Sequence, residues 1–415
     1  MTEDKRRIYE LAERYVCPGR MRTFQALGLD LVIGRREGYR IWDIDGRELL
    51  DYHLNGGVFN LGHRHPEVID ALRRATETLD IGNHHFPSGA RAELAADLAR
   101  LTPGDLQYSV FASGGGEAID LAIKTARFAT KRRTVVSIQN GYHGHTGLAL
   151  AAGDEKHAGM FLSEGAPGEF VHVPFNDLDA MRTALSTHAV AAVVMETIPA
   201  TSGFPMPAAG YLSGVQALCA ADGALYVADE VQTGLGRTGR LWGVECFGVE
   251  PDILVTGKGL SGGLYPIAAT VLSPRVAGWL QEDGWAHVST FGGAEVGCRV
   301  AQTVLAITTR PETVANVHTI ATYLGDGLRA VQQRFPDWLV EIRQQGLIFG
   351  LRFAHPQGGM LMSKALYECG LWAMFAGYDW SVLQFKAGLL VDRSFCDVTL
   401  ERFTAGIERC RAGLA

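Results

Sequence analysis

The sequence is poor in features that would place it outside ordinary soluble chemistry. Its seven cysteines, Cys17, Cys219, Cys246, Cys298, Cys369, Cys396 and Cys410, are odd in number, scattered, and never spaced as C-x-x-C. That argues against a disulfide framework and fits free thiols in a reducing cytoplasm. No apolar run is long enough for a bilayer; the stretch around Ala189–Met195 falls far short. Positive charge is not in excess. The 38 basic and 45 acidic side chains leave a net charge of −7, so the basic footprint wanted by nucleic acid or anionic lipid is missing. The segment Met1–Val16 is charged and helical in pattern, unlike a signal peptide. Histidines cluster at His63/His65, His84/His85 and His143/His145, but no nearby Cys or Glu completes a typical ligand set, and no metal site is expected.

What remains is a chain of 415 residues, 47% hydrophobic and 20% charged, long enough for two or three domains or one large α/β domain with a smaller one appended. A small-molecule partner is the natural expectation. Short apolar or β-branched runs recur at Tyr108–Ala112, Thr134–Ile138, Ala189–Met195, Ala224–Ala228, Asp252–Thr256 and Pro266–Leu272. Helical patterns such as Glu117–Thr130 and Tyr211–Ala221 separate several of them. Continuous apolar strands alternating with helices predict a mostly parallel sheet covered on both faces. Past Ala306 the pattern changes to a long helix over Glu312–Phe335, strands at Glu341–Gln344 and Ile348–Phe353, a helix near Met362–Cys369, a strand near Val382–Phe385 and a final helix. The division expected is an N-terminal segment 1–60 that packs with the small domain, a large α/β domain 61–305, and a small C-terminal α+β domain 306–415.

In open α/β sheets ligands sit beyond the carboxyl ends of the strands. Strand Tyr108–Ala112 runs into Ser113-Gly114-Gly115-Gly116 ahead of a helix. Glycine permits close backbone approach and a helix amino terminus offers free N–H groups, so this is either a phosphate cup or a plain tight turn. Strand Ala224–Ala228 delivers Asp229, which taken alone reads best as a cap. Strand Asp252–Thr256 delivers Lys258 between Gly257 and Gly259, where a partly desolvated amine serves Schiff-base chemistry, or is merely solvated. Together the three are what pyridoxal phosphate needs: an amine for the aldehyde, an acid for the ring nitrogen and a cup for the phosphate.

The segment from Asp229 to Gly239, followed by Pro251-Asp252-Ile253 and Gly257-Lys258-Gly259-Leu260, resembles the signature of class III (ω-type) pyridoxal-phosphate-dependent aminotransferases. So do Asn60-Leu61-Gly62-His63-Arg64-His65-Pro66, Gly116-Glu117-Ala118, Tyr142-His143-Gly144-His145-Thr146 and Thr290-Phe291-Gly292-Gly293. The resemblance implies the fold-type-I architecture and a cytoplasmic transferase that moves an amino group between a primary amine or amino acid and a keto acid or aldehyde. It implies Lys258 as the Schiff-base lysine, Asp229 on the pyridine nitrogen, Gln232 near the ring hydroxyl and Tyr142 stacked on the ring. Gly115 and Gly116 would bind the phosphate. Thr290 would reach the phosphate of the neighbouring subunit, making a homodimer with shared sites. Glu196 matches an acid that lines the substrate side, and His85 is a candidate for the pocket mouth.

Three positions depart from the family pattern. Ser113-Gly114-Gly115-Gly116 stands where Asn-Ser-Gly and a small residue are usual, Glu196-Thr197 replaces Glu-Pro, and Gln384-Phe385-Lys386-Ala387-Gly388-Leu389 replaces Arg-x-x-Pro-Pro-Leu. The arginine that clamps a substrate carboxylate is thus Gln384, and Lys386 offers a point charge instead. An alternative on the same scaffold is a racemase, epimerase or lyase acting on an unusual amino acid. The G-x-G-x-x-G match at Gly234–Gly239 fails as a dinucleotide site because Asp229–Thr233 intervenes after the strand.

Overall fold

The computed structural model describes residues 2–414. Seven strands form the central sheet: β1 (Tyr108–Ala112), β2 (Thr134–Ile138), β3 (Phe170–Val173), β4 (Val190–Glu196), β5 (Leu225–Asp229), β6 (Ile253–Thr256) and β7 (Ala268–Leu272). Their order across the sheet is β1-β7-β6-β5-β4-β2-β3. All neighbouring pairs are parallel except those of β7, which runs antiparallel to both β1 and β6. Every residue of β4 and β5 is buried, which is why these strands read as unbroken apolar runs. Helix Gly115–Thr130 packs its Ile119, Leu121, Ala122 and Ile123 on one face of the sheet, and helix Tyr211–Asp222 packs Leu212 and Val215 on the other.

Six of the seven strands agree with the sequence expectation to within two residues at either end. The exception is β3, whose four residues, Phe170-Val171-His172-Val173, lie at the sheet edge with only Val173 buried. A run that short, carrying a histidine, leaves no apolar signal to read. Two smaller four-stranded sheets complete the fold. Strands Leu339–Gln345, Ile348–Phe353, Val382–Lys386 and Met374–Phe375 form an antiparallel sheet. The amino-terminal strands Ile33–Glu37, Arg40–Asp43 and Glu48–Asp51 make a meander, closed by Leu371–Trp372 in parallel with Glu48–Asp51. The 24-residue helix Pro311–Arg334 opens on Pro311, where the missing N–H costs nothing, and buries Val317, Ile320, Leu324 and Leu328.

With β1, β2, β4, β5 and β6 pointing one way, their carboxyl ends share one edge. Glu196 and Asp229 are the last residues of β4 and β5, Ser113 directly follows β1, Lys258 comes two residues after β6, and Tyr142 lies just past β2.

Candidate active site

The register of β4 against β5 sets Glu196 beside Asp229. Asp229 is buried. Its Oδ2 lies 2.7 Å from His143 Nδ1, and its Oδ1 accepts the Val231 N–H at 3.0 Å. Burial opposes charge on His143, but the Asp229 hydrogen bond and charge, with that of Glu196, outweigh it and raise the imidazole pKa. Ser137 Oγ meets the other ring nitrogen at 3.2 Å. His143 therefore fixes the Asp229 carboxylate from behind, a role that no spacing in the sequence announces. Glu196 accepts the backbone N–H groups of Tyr142 at 3.0 Å and Ala200 at 3.1 Å. Burial first, then the charge of Asp229, lifts its pKa to about 7.

Lys258 follows β6 with φ of +42°, a left-handed conformation that is strained for a side chain with a Cβ. Burial lowers its pKa and Arg237 adds to the effect, against the pull of Asp229 and Glu196. A cavity of about 400 Å³ joins Lys258 to Ser113, Gly114 and Gly115. The helix begins at Gly115, two residues before the sequence pattern suggests. Gly115 and Gly116 are thus its first residues, whose N–H groups have no partner within the helix.

Space explains the glycines. A Cβ on Gly116 would stand 2.8 Å from Thr146 Oγ1. Gly144 has φ of +109°, and a Cβ there would lie 2.7 Å from Gly116 Cα. Gly144→Ala should therefore destabilise the protein by roughly 1–3 kcal/mol from backbone strain alone, with more from the clash; denaturant unfolding of the cofactor-free protein reads it directly. Opposite the cup, Asn55, Gly56 and Gly57 all have positive φ, and a Cβ on Gly56 would touch Lys258 Cε at 3.5 Å. Asp51 holds this turn, accepting the N–H groups of His53 at 3.0 Å and Leu54 at 2.8 Å, while its Oδ2 meets His63 Nε2 at 2.8 Å.

Two polar atoms here are buried without hydrogen-bond partners, Gln232 Oε1 and Arg237 Nη1. Arg237 is fully buried, donates to the carbonyls of Gln232 at 3.1 Å and Gly57 at 2.9 Å, and has its pKa pulled down to about 10 by burial. An amine, an anchored carboxylate, an unsatisfied amide oxygen and a cup of free N–H groups are the donor set that a phosphorylated pyridine aldehyde requires.

The Thr197 departure has a structural answer. Glu230, buried in the turn after Asp229, accepts from the hydroxyls of Thr197 and Thr233 and from the N–H groups of Gly243 at 2.7 Å and Val244 at 2.9 Å. A proline at position 197 could give no such donor.

Lys386 is completely buried, its Nζ donating to Gln384 Oε1 at 3.1 Å and standing 5.4 Å from the centre of the Phe204 ring. Burial, then the charges of Arg237 and Lys258, push its pKa well below the usual lysine range. Burial and Lys386 likewise hold His53 at about 4. Lys386 belongs to the same electrostatic cluster as Lys258, and so Gln384 does too. His85 and Thr290 do not join it within the chain. Both are exposed, His85 with its ring 4.8 Å from Trp285. Trp285 is 62% exposed. Its indole closes no core because the segment 283–290 lies on the surface.

Comparison with known proteins gives a consistent result. Residues 25–407 match the family model described as aminotransferase class-III. An uncharacterized aminotransferase of Archaeoglobus fulgidus is 47% identical over 404 residues, covering 97% of this chain and 94% of that protein. The ornithine aminotransferase of Toxoplasma gondii, whose structure has pyridoxal phosphate at partial occupancy in its active site, is 27% identical with a TM-score of 0.87, covering 98% of this chain and 96% of that one. A transaminase from the marine bacterium Virgibacillus shares the fold with a TM-score of 0.91 at 24% identity, covering 98% of this chain and 100% of that one.

Proposed function

The chain belongs to the class-III aminotransferase family, and from that premise we propose that Lys258 would hold pyridoxal 5'-phosphate, with Asp229 for its ring nitrogen and the amino end of helix Gly115–Thr130 for its phosphate. The protein is a transaminase, moving an amino group between an amine or amino acid and a carbonyl acceptor. When bound, the cofactor supplies an electron sink for charge developing at the substrate carbon. The Lys258 amine, its pKa lowered by burial, is the group that takes and returns the proton at that carbon. Asp229, steadied by His143, would pair with the ring nitrogen. Gln232 Oε1 would receive the ring hydroxyl, Tyr142 would cover the ring, and the Gly115 and Gly116 N–H groups would hold the phosphate. Glu196 acts through the Tyr142 backbone and bounds the substrate side. One observation carries this reading: Lys258 lines the same cavity as Ser113, Gly114 and Gly115.

Gln384 and Lys386 set the substrate. With no guanidinium at position 384, the carboxylate of the acceptor rests on Lys386, so the acceptor is a keto acid held by a point charge. Burial and the charges of Arg237 and Lys258 disfavour the protonated amine that pairs with an anion, and rising pH disfavours it further, so affinity for the keto acid should fall as pH rises. Lys386→Met should raise KM for the keto acid by about 10- to 100-fold, as expected for a desolvated charge pair, move kcat much less, and abolish the pH trend. Steady-state kinetics across pH reads all three effects.

The chain divides into segment 1–60, large domain 61–305 and small domain 306–415. It works as a homodimer. Exposed Phe86, Trp285 and Phe291 surround His85 and Thr290, an apolar surface suited to a second copy that would bring Thr290 and His85 to its neighbour's site. Sedimentation at micromolar concentration should give twice the chain mass. Seven unpaired cysteines suit the cytoplasm, and among the described residues no helix is long and apolar enough to cross a membrane. The deciding experiment follows the cofactor's absorption in a single turnover with a panel of amines and no acceptor. Stoichiometric conversion to the pyridoxamine form is expected; racemised or eliminated amine with unchanged cofactor would overturn the assignment.

A further inference from the structure

Outside the cofactor site, three side chains converge beside Tyr142. Asp154, its side chain only 5% exposed, stands between the half-exposed imidazoles of His145 and His157. Its Oδ2 is 3.5 Å from His145 Nε2 and 2.5 Å from His157 Nδ1, and the three donor atoms lie within 4.8 Å of one another. Asp154 Oδ1 is committed elsewhere, accepting the His157 N–H at 3.1 Å as the cap of helix Glu155–Met160. The Tyr378 hydroxyl, from the carboxy-terminal part of the chain, also bears on this carboxylate. The carboxylate is thus held from both sides, and its Oδ2 faces the two rings.

Capping and ion pairing account for part of this arrangement. They need only Asp154 and His157, and they leave His145 Nε2 pointing at Oδ2 from beyond a good hydrogen-bond distance. We propose that His145, Asp154 and His157 form a divalent transition-metal site of the zinc class. Two imidazole nitrogens and one carboxylate oxygen are a common protein set for that ion. Tetrahedral zinc with ligand bonds of about 2.0–2.2 Å sets its donors roughly 3.4 Å apart. The His145–Asp154 separation meets that spacing, and the closer His157 nitrogen exchanges a hydrogen bond for a metal bond. Exposure of both rings leaves the fourth position to water. The His145 ring lies 5.2 Å from that of Tyr142, so the ion ties the Tyr142–Thr146 segment to helix Glu155–Met160. The sequence gives no hint of this set because Asp154 and His157 sit nine and twelve residues past His145, across an intervening helix.

The test is calorimetric titration of chelator-treated holoenzyme with Zn²⁺, beside His145→Ala and His157→Ala. Saturable uptake of one ion per chain is expected in the parent, weakened about tenfold or more in each variant. Should His157→Ala fail to fold, His145→Ala still decides, since that ring is half-exposed. Absence of saturable uptake by the parent, or unchanged affinity in His145→Ala, overturns the proposal.

Discussion

Holoenzyme carrying Lys258→Ala should complete no second turnover. Its rate should fall by about 10⁴-fold or more, the upper range of what a positioned acid–base group contributes, with the covalent attachment lost besides. The geometry makes substitution by a neighbour hard. Lys386 is the nearby amine, but its Nζ donates to Gln384 Oε1 and is the group on which the acceptor's carboxylate would rest. The strained φ at Lys258 suits an amine held in one place, and alanine would keep the strain while losing the function. Incubating the variant with excess amine and keto acid and counting product per site is the measurement. Product well above one per site would remove Lys258 from the centre of the reaction.

Asp229→Ala should have the next largest effect. On the proposed assignment it removes the charge that would pair with the ring nitrogen, and it leaves His143 buried beside Glu196 without its partner. Breaking a buried pair costs about 3–5 kcal/mol, and 3 kcal/mol corresponds to roughly 100-fold in affinity. Cofactor affinity should weaken by at least about that factor, with most activity lost. Asp229→Asn separates the two causes. Its amide oxygen can still accept the Val231 N–H while its NH2 group donates to Nδ1 of a neutral His143, so the cofactor-free protein should melt closer to the parent temperature than Asp229→Ala does while activity stays low. Equal melting losses in both variants would mean that Asp229 serves the fold more than the cofactor.

Much of this site was legible because its parts are adjacent in sequence to strand ends. Lys258, Asp229 and the glycine cup needed only the rule that parallel strands present their carboxyl ends together. His143 and Glu230 were not legible in the same way. Their roles arise from contacts between separate segments, His143 with Asp229 across 86 positions and Glu230 with Thr197 across 33. Thr197 shows how local departure misleads: it looks like a lost proline until its hydroxyl is found on Glu230. Edge strand β3 was invisible because partial exposure leaves no apolar run. The absence of an arginine at Gln384 is plain in the sequence, but the complete burial of Lys386 depends on the packing of strand Val382–Lys386 and the nearby Phe204, which no pattern encodes.

The pairing of Glu48–Asp51 with Leu371–Trp372 also sets a timetable for biosynthesis. Roughly 320 residues separate the partners, so at about 5–20 residues per second the first waits roughly 16–64 s for the second to be made. During that interval Leu49 and Leu50, both fully buried in the finished fold, lack their final neighbours. The turn that presses Gly56 against Lys258 follows directly after this strand. The nascent enzyme therefore gains a closed cofactor pocket only after Leu371–Trp372 has been made, and its amino-terminal meander is the part with the longest need of protection from misassociation.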